Sequence, residues 1–186
     1  NTSHMYITGP EVIKAVIGEE VTQEQLGGAV AHASKSGVCH VVTENDTDCI
    51  DKIKMLLSYL PDSCNSPLPI ADASDSPERD SPELDKVIPD KAARAYNMKN
   101  IIKAVADNHE MFELHEQWAQ NIIVALIRVL GKPVGVIANN PMFYAGVLNV
   151  NASDKASRFI RFCDAFNIPL LTFADVPGYM PGTDQE

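Results

Sequence analysis

Two short apolar runs joined by one amphipathic helical pattern constrain this chain more than any other feature. Val134 to Ala138 is too short for a helix and reads as a buried strand. Ser153 then suits a helix cap, and Ala156, Phe159, Ile160, Cys163 and Phe166 fall on one helical face. Asn167 suits the helix end, and Pro169 leads into a second strand, Leu170 to Ala174. Strand, helix and strand predict a βαβ unit, which places the chain among α/β folds and puts ligands at the carboxyl ends of the strands.

The rest is read around that unit. Met111 to Leu114 and Ile122 to Leu130 are strand candidates, the latter also compatible with a helix, and Gly131-Lys132-Pro133 is a turn. A short helix is expected over Asn100 to Asp107. Upstream, Gly9-Pro10 opens a helix, Thr22 and Gln25 have the spacing of a capping box, and Val38 to Val42 reads as a short strand. Asp46 suits the cap of a helix with Ile50, Ile53, Leu57 and Leu60 as its apolar stripe. Between 61 and 90 lie six of the twelve prolines, eight of the 25 acids and five serines, without apolar period. That composition predicts an exposed connector.

Composition also excludes. A net charge of −10 argues against nucleic acid, which requires basic surface. No apolar run is long enough to span a membrane, and the start lacks a signal-peptide pattern. Cys39, Cys49, Cys64 and Cys163 form no metal-ligand spacing and fit reduced thiols in a cytoplasm, so no metal is expected. Both ends read as cuts within a longer protein. His32, His40, His109 and His115 have no paired nucleophile and read as packed or surface residues.

Two loops follow strand ends. Asp175-Val176-Pro177-Gly178-Tyr179-Met180-Pro181-Gly182-Thr183 exposes backbone N–H groups that neither helix nor strand consumes. Two such donors aimed at one point stabilise an oxygen that gains negative charge. On composition alone an ordinary surface turn is the favoured reading, because such Pro/Gly loops are common. Asn139-Asn140-Pro141, leading to Ala145-Gly146, is either turn-making or donor-bearing.

The motifs together resemble the carboxyltransferase subunits of biotin-dependent acyl-CoA carboxylases. Thr2-Ser3-His4-Met5-Tyr6-Ile7-Thr8-Gly9-Pro10 is similar to that family's TSYMFITGP segment. Gly131-Lys132-Pro133-Val134-Gly135 through Pro141 is similar to GRPVGIVANQP, and Asp175 through Thr183 to DVPGFLPGT. Leu26-Gly27-Gly28-Ala29, Ser36-Gly37-Val38-Cys39-His40, Ser153-Asp154-Lys155-Ala156 and Arg161 through Leu170 continue the match in the family's order. The resemblance implies two tandem crotonase-like halves, each a ββα superhelix, with coenzyme A on the first and biotin on the second. Residues 1–60 would then be the tail of the first half, 61–95 the connector, and 96–186 the opening of the second.

It further implies that Gly178 and Tyr179 donate backbone N–H groups to the biotin carbonyl, and that Asn139, Asn140, Ala145, Gly146, Pro177 and Gly182 line the biotin side. The implied cofactor is biotin on a carrier, with a coenzyme A thioester as substrate. The implied partners are biotin carboxyl carrier and biotin carboxylase subunits and further copies of the carboxyltransferase. A methylmalonyl-CoA decarboxylase α subunit with a membrane partner is the alternative, as is a non-catalytic assembly module. The family often has acids where this chain has Asn149 and Asn151.

Overall fold

Ile122, Val124 and Leu126 point to one side of a sheet while Ile123, Ala125 and Ile127 point to the other, and both sets are buried. A strand covered on two faces has no reason to alternate polarity, so its sequence reads as a continuous apolar run. The structure is a computed structural model that describes residues 3–73, 75–89 and 94–185.

Its first part carries α1 (Pro10–Ile17), α2 (Gln23–Gly27), α3 (Ala29–Ala31), a π-helical turn at His32–Ser36, and α4 (Asp46–Tyr59). The second carries α5 (Met98–Val105), β1 (Phe112–Leu114), β2 (Ile122–Val129), β3 (Lys132–Asn139), α6 (Val150–Ala165) and β4 (Leu170–Phe173). The sheet order is β1-β2-β3-β4, antiparallel except for the β3–β4 pair. β3, α6 and β4 therefore form the expected βαβ unit. One face of the sheet packs against Tyr59 of α4 and Ala152, Phe159 and Cys163 of α6. The other packs against Met98 and Ile102 of α5.

Local chemistry explains most boundaries. The Thr22 and Gln25 capping box forms in full. Leu130 and Gly131 both have positive φ, 52° and 75°, as a two-residue hairpin of this hand requires. The β2–β3 turn is thus one residue earlier than expected, and Pro133 lies within β3 opposite Arg128. It is tolerated because β4 begins pairing only at Gly135, so no partner strand asks for a donor there.

Several expectations are corrected. Asn149, not Ser153, caps α6, because its Oδ1 accepts the Ala152 N–H at 2.9 Å. Ser153 sits in the first turn and donates its hydroxyl to the Asn149 carbonyl. Asn45, not Asp46, caps α4 by accepting the Asp48 N–H at 3.0 Å. Residues 38–42 form no strand: β1, the nearby edge, is only three residues long, and the backbone link is a single bond from His115 N–H to the His40 carbonyl, 2.8 Å. Ile50, Ile53 and Leu57 face outward, 51%, 51% and 59% exposed, because α4 packs through Met55, Leu56 and Tyr59 instead.

The connector is largely exposed over its described residues, as its composition predicts, but it is also tied down at several points. Arg128 donates to the Pro69, Gly131 and Ser58 carbonyls and lies over the Tyr59 ring. The Ala71 N–H donates to the Gly131 carbonyl. Asp75 pairs with Arg79, which also reaches the Ala106 carbonyl. A polar stretch without apolar period can still be held by backbone carbonyls and two buried-side arginines. Residues 74 and 90–93 lie outside the described residues.

Candidate functional site

The two loops singled out from sequence meet at the carboxyl ends of β3 and β4. Asn139 ends β3 and is buried. Its Nδ2 donates to the Gly146 carbonyl at 3.0 Å, and its Oδ1 accepts the Asp175 N–H at 3.3 Å. Asn140 is also buried. Its Nδ2 donates to the Gln120 carbonyl at 3.1 Å, and its N–H to the Asn121 carbonyl at 2.9 Å. Both carboxamides are thus engaged inside the protein and brace the loop.

Between them and α6 the chain turns sharply. Tyr144, Ala145 and Gly146 have φ of 50°, 51° and 76°. Ala145 is exposed, Gly146 is buried, and a Cβ on Gly146 would stand 2.7 Å from the Asp175 carbonyl oxygen. Leu148 then pairs with the second loop. Its N–H donates to the Gly178 carbonyl at 3.0 Å, and its carbonyl accepts the Met180 N–H at 2.7 Å.

That pairing consumes the acceptor of Gly178 and the donor of Met180. It leaves the Gly178 and Tyr179 N–H groups without an acceptor among the described residues. Gly178 has a φ of 145°, and a Cβ there would meet nothing within 4 Å, so the space over the loop is open. Pro177 and Tyr179 are exposed, and Gly182, with φ 134°, is likewise unobstructed. The loop thus carries two backbone donors free of protein acceptors among the described residues, the kind of group that can bind an acceptor oxygen.

Three residues near this site carry weight that the sequence reading did not assign. Tyr96 donates its hydroxyl to Asp175 Oδ2 at 2.6 Å and so pins the start of the Pro177-Gly178 loop. Burial, and then the Asp175 carboxylate, push its phenol up to about 12. Asn121 donates to the Val147 carbonyl at 2.7 Å and to Asn149 Oδ1 at 3.3 Å. Lys155 is 1% exposed, and burial pulls its ammonium down to about 8. Lys155 lies three residues after Ala152 and four before Phe159, on the buried stripe of α6, so helical spacing marks it. Tyr96 and Asn121 carry no comparable signal, since their partners are distant in sequence.

Other chemistry lies apart. An apolar cavity of about 400 Å³ between α4, β1 and α6 is lined by Phe112, Leu114 and Phe159, with no residue of the two loops. Among the described residues no group of His, Cys, Asp and Glu is placed to hold a metal, and no helix is long and apolar enough to cross a membrane.

The Carboxyl transferase domain family matches residues 1–186. The methylmalonyl-CoA decarboxylase subunit alpha of Veillonella parvula is 53% identical over 186 residues, all of this chain and 36% of that protein. The mitochondrial propionyl-CoA carboxylase beta chain of Mus musculus is 50% identical over all of this chain and 34% of its own length. Among solved structures, transcarboxylase 12S, a hexamer described with hydrolysed methylmalonyl-coenzyme A bound, superposes with a TM-score of 0.94 at 41% identity. The superposition covers 98% of this chain and 36% of that one. A single-chain, multi-domain long-chain acyl-CoA carboxylase superposes at 0.81 and 28% identity, over 98% of this chain and 18% of that chain. The chain spans about a third of the length of the curated relatives it matches. It has the crotonase-like α/β fold of those carboxyltransferases, and it belongs to the carboxyl transferase domain family.

Proposed function

We propose that this chain is part of the carboxyltransferase component of a biotin-dependent acyl-CoA carboxylase, moving a carboxyl group from carboxybiotin to an acyl-CoA such as propionyl-CoA. The observation that carries this reading is the unpaired Gly178 and Tyr179 N–H pair, held beside Leu148 at the sheet's carboxyl end. Biotin, when bound on its carrier, supplies the ureido nitrogen that holds the carboxyl group. Gly178 and Tyr179 bind its carbonyl oxygen and stabilise the charge that gathers there as the carboxyl group leaves. Asn139 and Asn140 keep the neighbouring loop in register, and Tyr96 fixes Asp175. Catalysis is electrostatic and positional.

In this reading residues 1–60 end a coenzyme A-side half, 61–95 connect, and 96–186 open a biotin-side half. The remaining donors and the acyl-CoA pocket come from the rest of the subunit and from further copies. A carrier and a biotin carboxylase subunit are the working partners, and the four free cysteines support a reducing compartment such as the cytoplasm. The 53% identity to a decarboxylase α subunit supports a second reading, in which the same site takes the carboxyl group from methylmalonyl-CoA and passes it to a membrane partner.

The test is the full subunit supplied with a carboxylated biotin carrier and propionyl-CoA. Methylmalonyl-CoA forms with the full subunit and not with the 186-residue chain alone. Turnover by the chain alone, or none by the full subunit in either direction, contradicts the reading.

A further inference from the structure

Lys155 is a buried cation whose partners are neutral carbonyls. Its Nζ donates to the carbonyls of Trp118 and Ile122 at 2.8 Å and His115 at 2.9 Å, with Ala119 at 3.4 Å. An ammonium has three protons, and three short bonds use them all. The nearby charged side chains are Glu113, Glu116 and Lys99 around β1, with His115 and Arg158 beside the same turn. Glu113 and Glu116 both pair with Lys99 instead. The 115–122 turn is otherwise costly. His115 and Ala119 have φ of 54° and 46°, and its carbonyls converge on one point.

That turn holds the biotin-side loop. The Gln120 and Asn121 carbonyls receive both donors of Asn140, and the Asn121 side chain donates to the Val147 carbonyl. One residue on, Leu148 pairs with Gly178 and Met180. A continuous set of hydrogen bonds therefore runs from Lys155 through the turn to the donor loop.

We propose that Lys155 is a positioning residue for carboxyl transfer: by gathering the 115–122 carbonyls it fixes the 139–149 loop and, through Leu148, the placement of Gly178 and Tyr179. The proposal rests on the reading of the biotin side given above. The same turn also meets residues 1–60, through His115 against His40 and Trp118 against Gly37, but the hydrogen bonds that lead from it to the donor loop all lie within residues 115–180.

The test uses the full subunit with Lys155→Met, Lys155→Arg and, where the first destabilises the fold, Asn121→Leu, which cuts the link between turn and loop without disturbing the cation. KM for the carboxylated carrier rises about tenfold or more in Lys155→Met and Asn121→Leu, as expected for a misplaced site. KM for propionyl-CoA stays within about twofold. Arginine does not restore the carrier KM, because its planar fork cannot address carbonyls that converge on one point. In hydrogen exchange the Asn140, Leu148 and Met180 amides open faster in Lys155→Met, while Val124 and Val136 stay protected. Equal change in both KM values, or a lower active fraction with both KM values unchanged, overturns the proposal. So does unchanged exchange at those three amides, a result that is independent of any activity. If the wild-type subunit transfers no carboxyl group in either direction, the reading of the site and the proposal both fall.

Discussion

Gly146 lies against Asp175 so closely that a Cβ on the glycine would stand 2.7 Å from the aspartate's carbonyl oxygen. The two residues belong to different loops, and this contact sets the distance between them. Gly146→Ala forces them apart and also strains a residue at φ 76°. Carboxyl transfer by the full subunit falls about 100-fold in this variant, as expected for roughly 1 Å of misplacement. The stability loss is modest, about 1–2 kcal/mol. Label transfer and urea denaturation on the same preparation separate the two effects. Wild-type transfer rates would count against the loop contact as a determinant.

Arg128 joins three segments: the end of α4 at Ser58, the connector at Pro69, and the hairpin turn at Gly131. It also covers Tyr59 at 4.8 Å. Arg128→Met keeps the packing stem but removes the donors, and destabilises by about 2–4 kcal/mol. Limited proteolysis should find new cuts at 61–73 before the sheet unfolds. An unchanged denaturation midpoint would show that the connector is held by other contacts.

Acid should weaken the fold through His115. Burial first, then His40, Lys155 and Arg158, hold its imidazole down to about 4 from 6.5. Between those values the unfolded chain binds the proton and the folded chain does not. Stability from the neutral ring is therefore complete above pH 6.5 and is lost as pH falls through 4, on the order of 1–3 kcal/mol. His115→Phe should flatten that part of the pH–stability curve. An unaltered slope between pH 4 and 6.5 would rule His115 out as its source.

The outward apolar face of α4 makes a prediction about the 186-residue chain itself. Ile50, Ile53 and Leu57 share that face, and Ile7, Val16 and Ile17 add exposed apolar surface in the first part. A patch of this kind rarely stays in water. The isolated chain self-associates in light scattering, and Ile53→Glu with Leu57→Lys reduces it. A monomer at high concentration would contradict this.

What the sequence made legible follows from range. The β3–α6–β4 unit was visible because its apolar periods are local and its ends carry Asn, Pro and Gly. The capping box at Thr22 was visible for the same reason. Two caps were misplaced by one and four residues because Asn45–Asp46 and Asn149–Ser153 each offer two good capping side chains, and only geometry chooses between them. The α4 stripe misled because apolar spacing shows that a face exists and not which way it turns. The docked connector was illegible because its holders, Arg128 and Arg79, lie far from it in sequence or bond to carbonyls that every residue has. The two loops are visible from their Pro, Gly and Asn at strand ends, but the braces Tyr96 and Asn121 act across 79 and 26 residues, beyond any local pattern.

The most direct test of the account is carboxyl transfer through the Gly178 and Tyr179 donors. The full subunit, given a carboxylated biotin carrier and labelled propionyl-CoA, should transfer the carboxyl group. Gly178→Ala, which strains the donor loop at a φ of 145°, should lower kcat by about 100- to 1000-fold with the fold intact. A folded Gly178→Ala subunit that transfers at the wild-type rate would contradict the account.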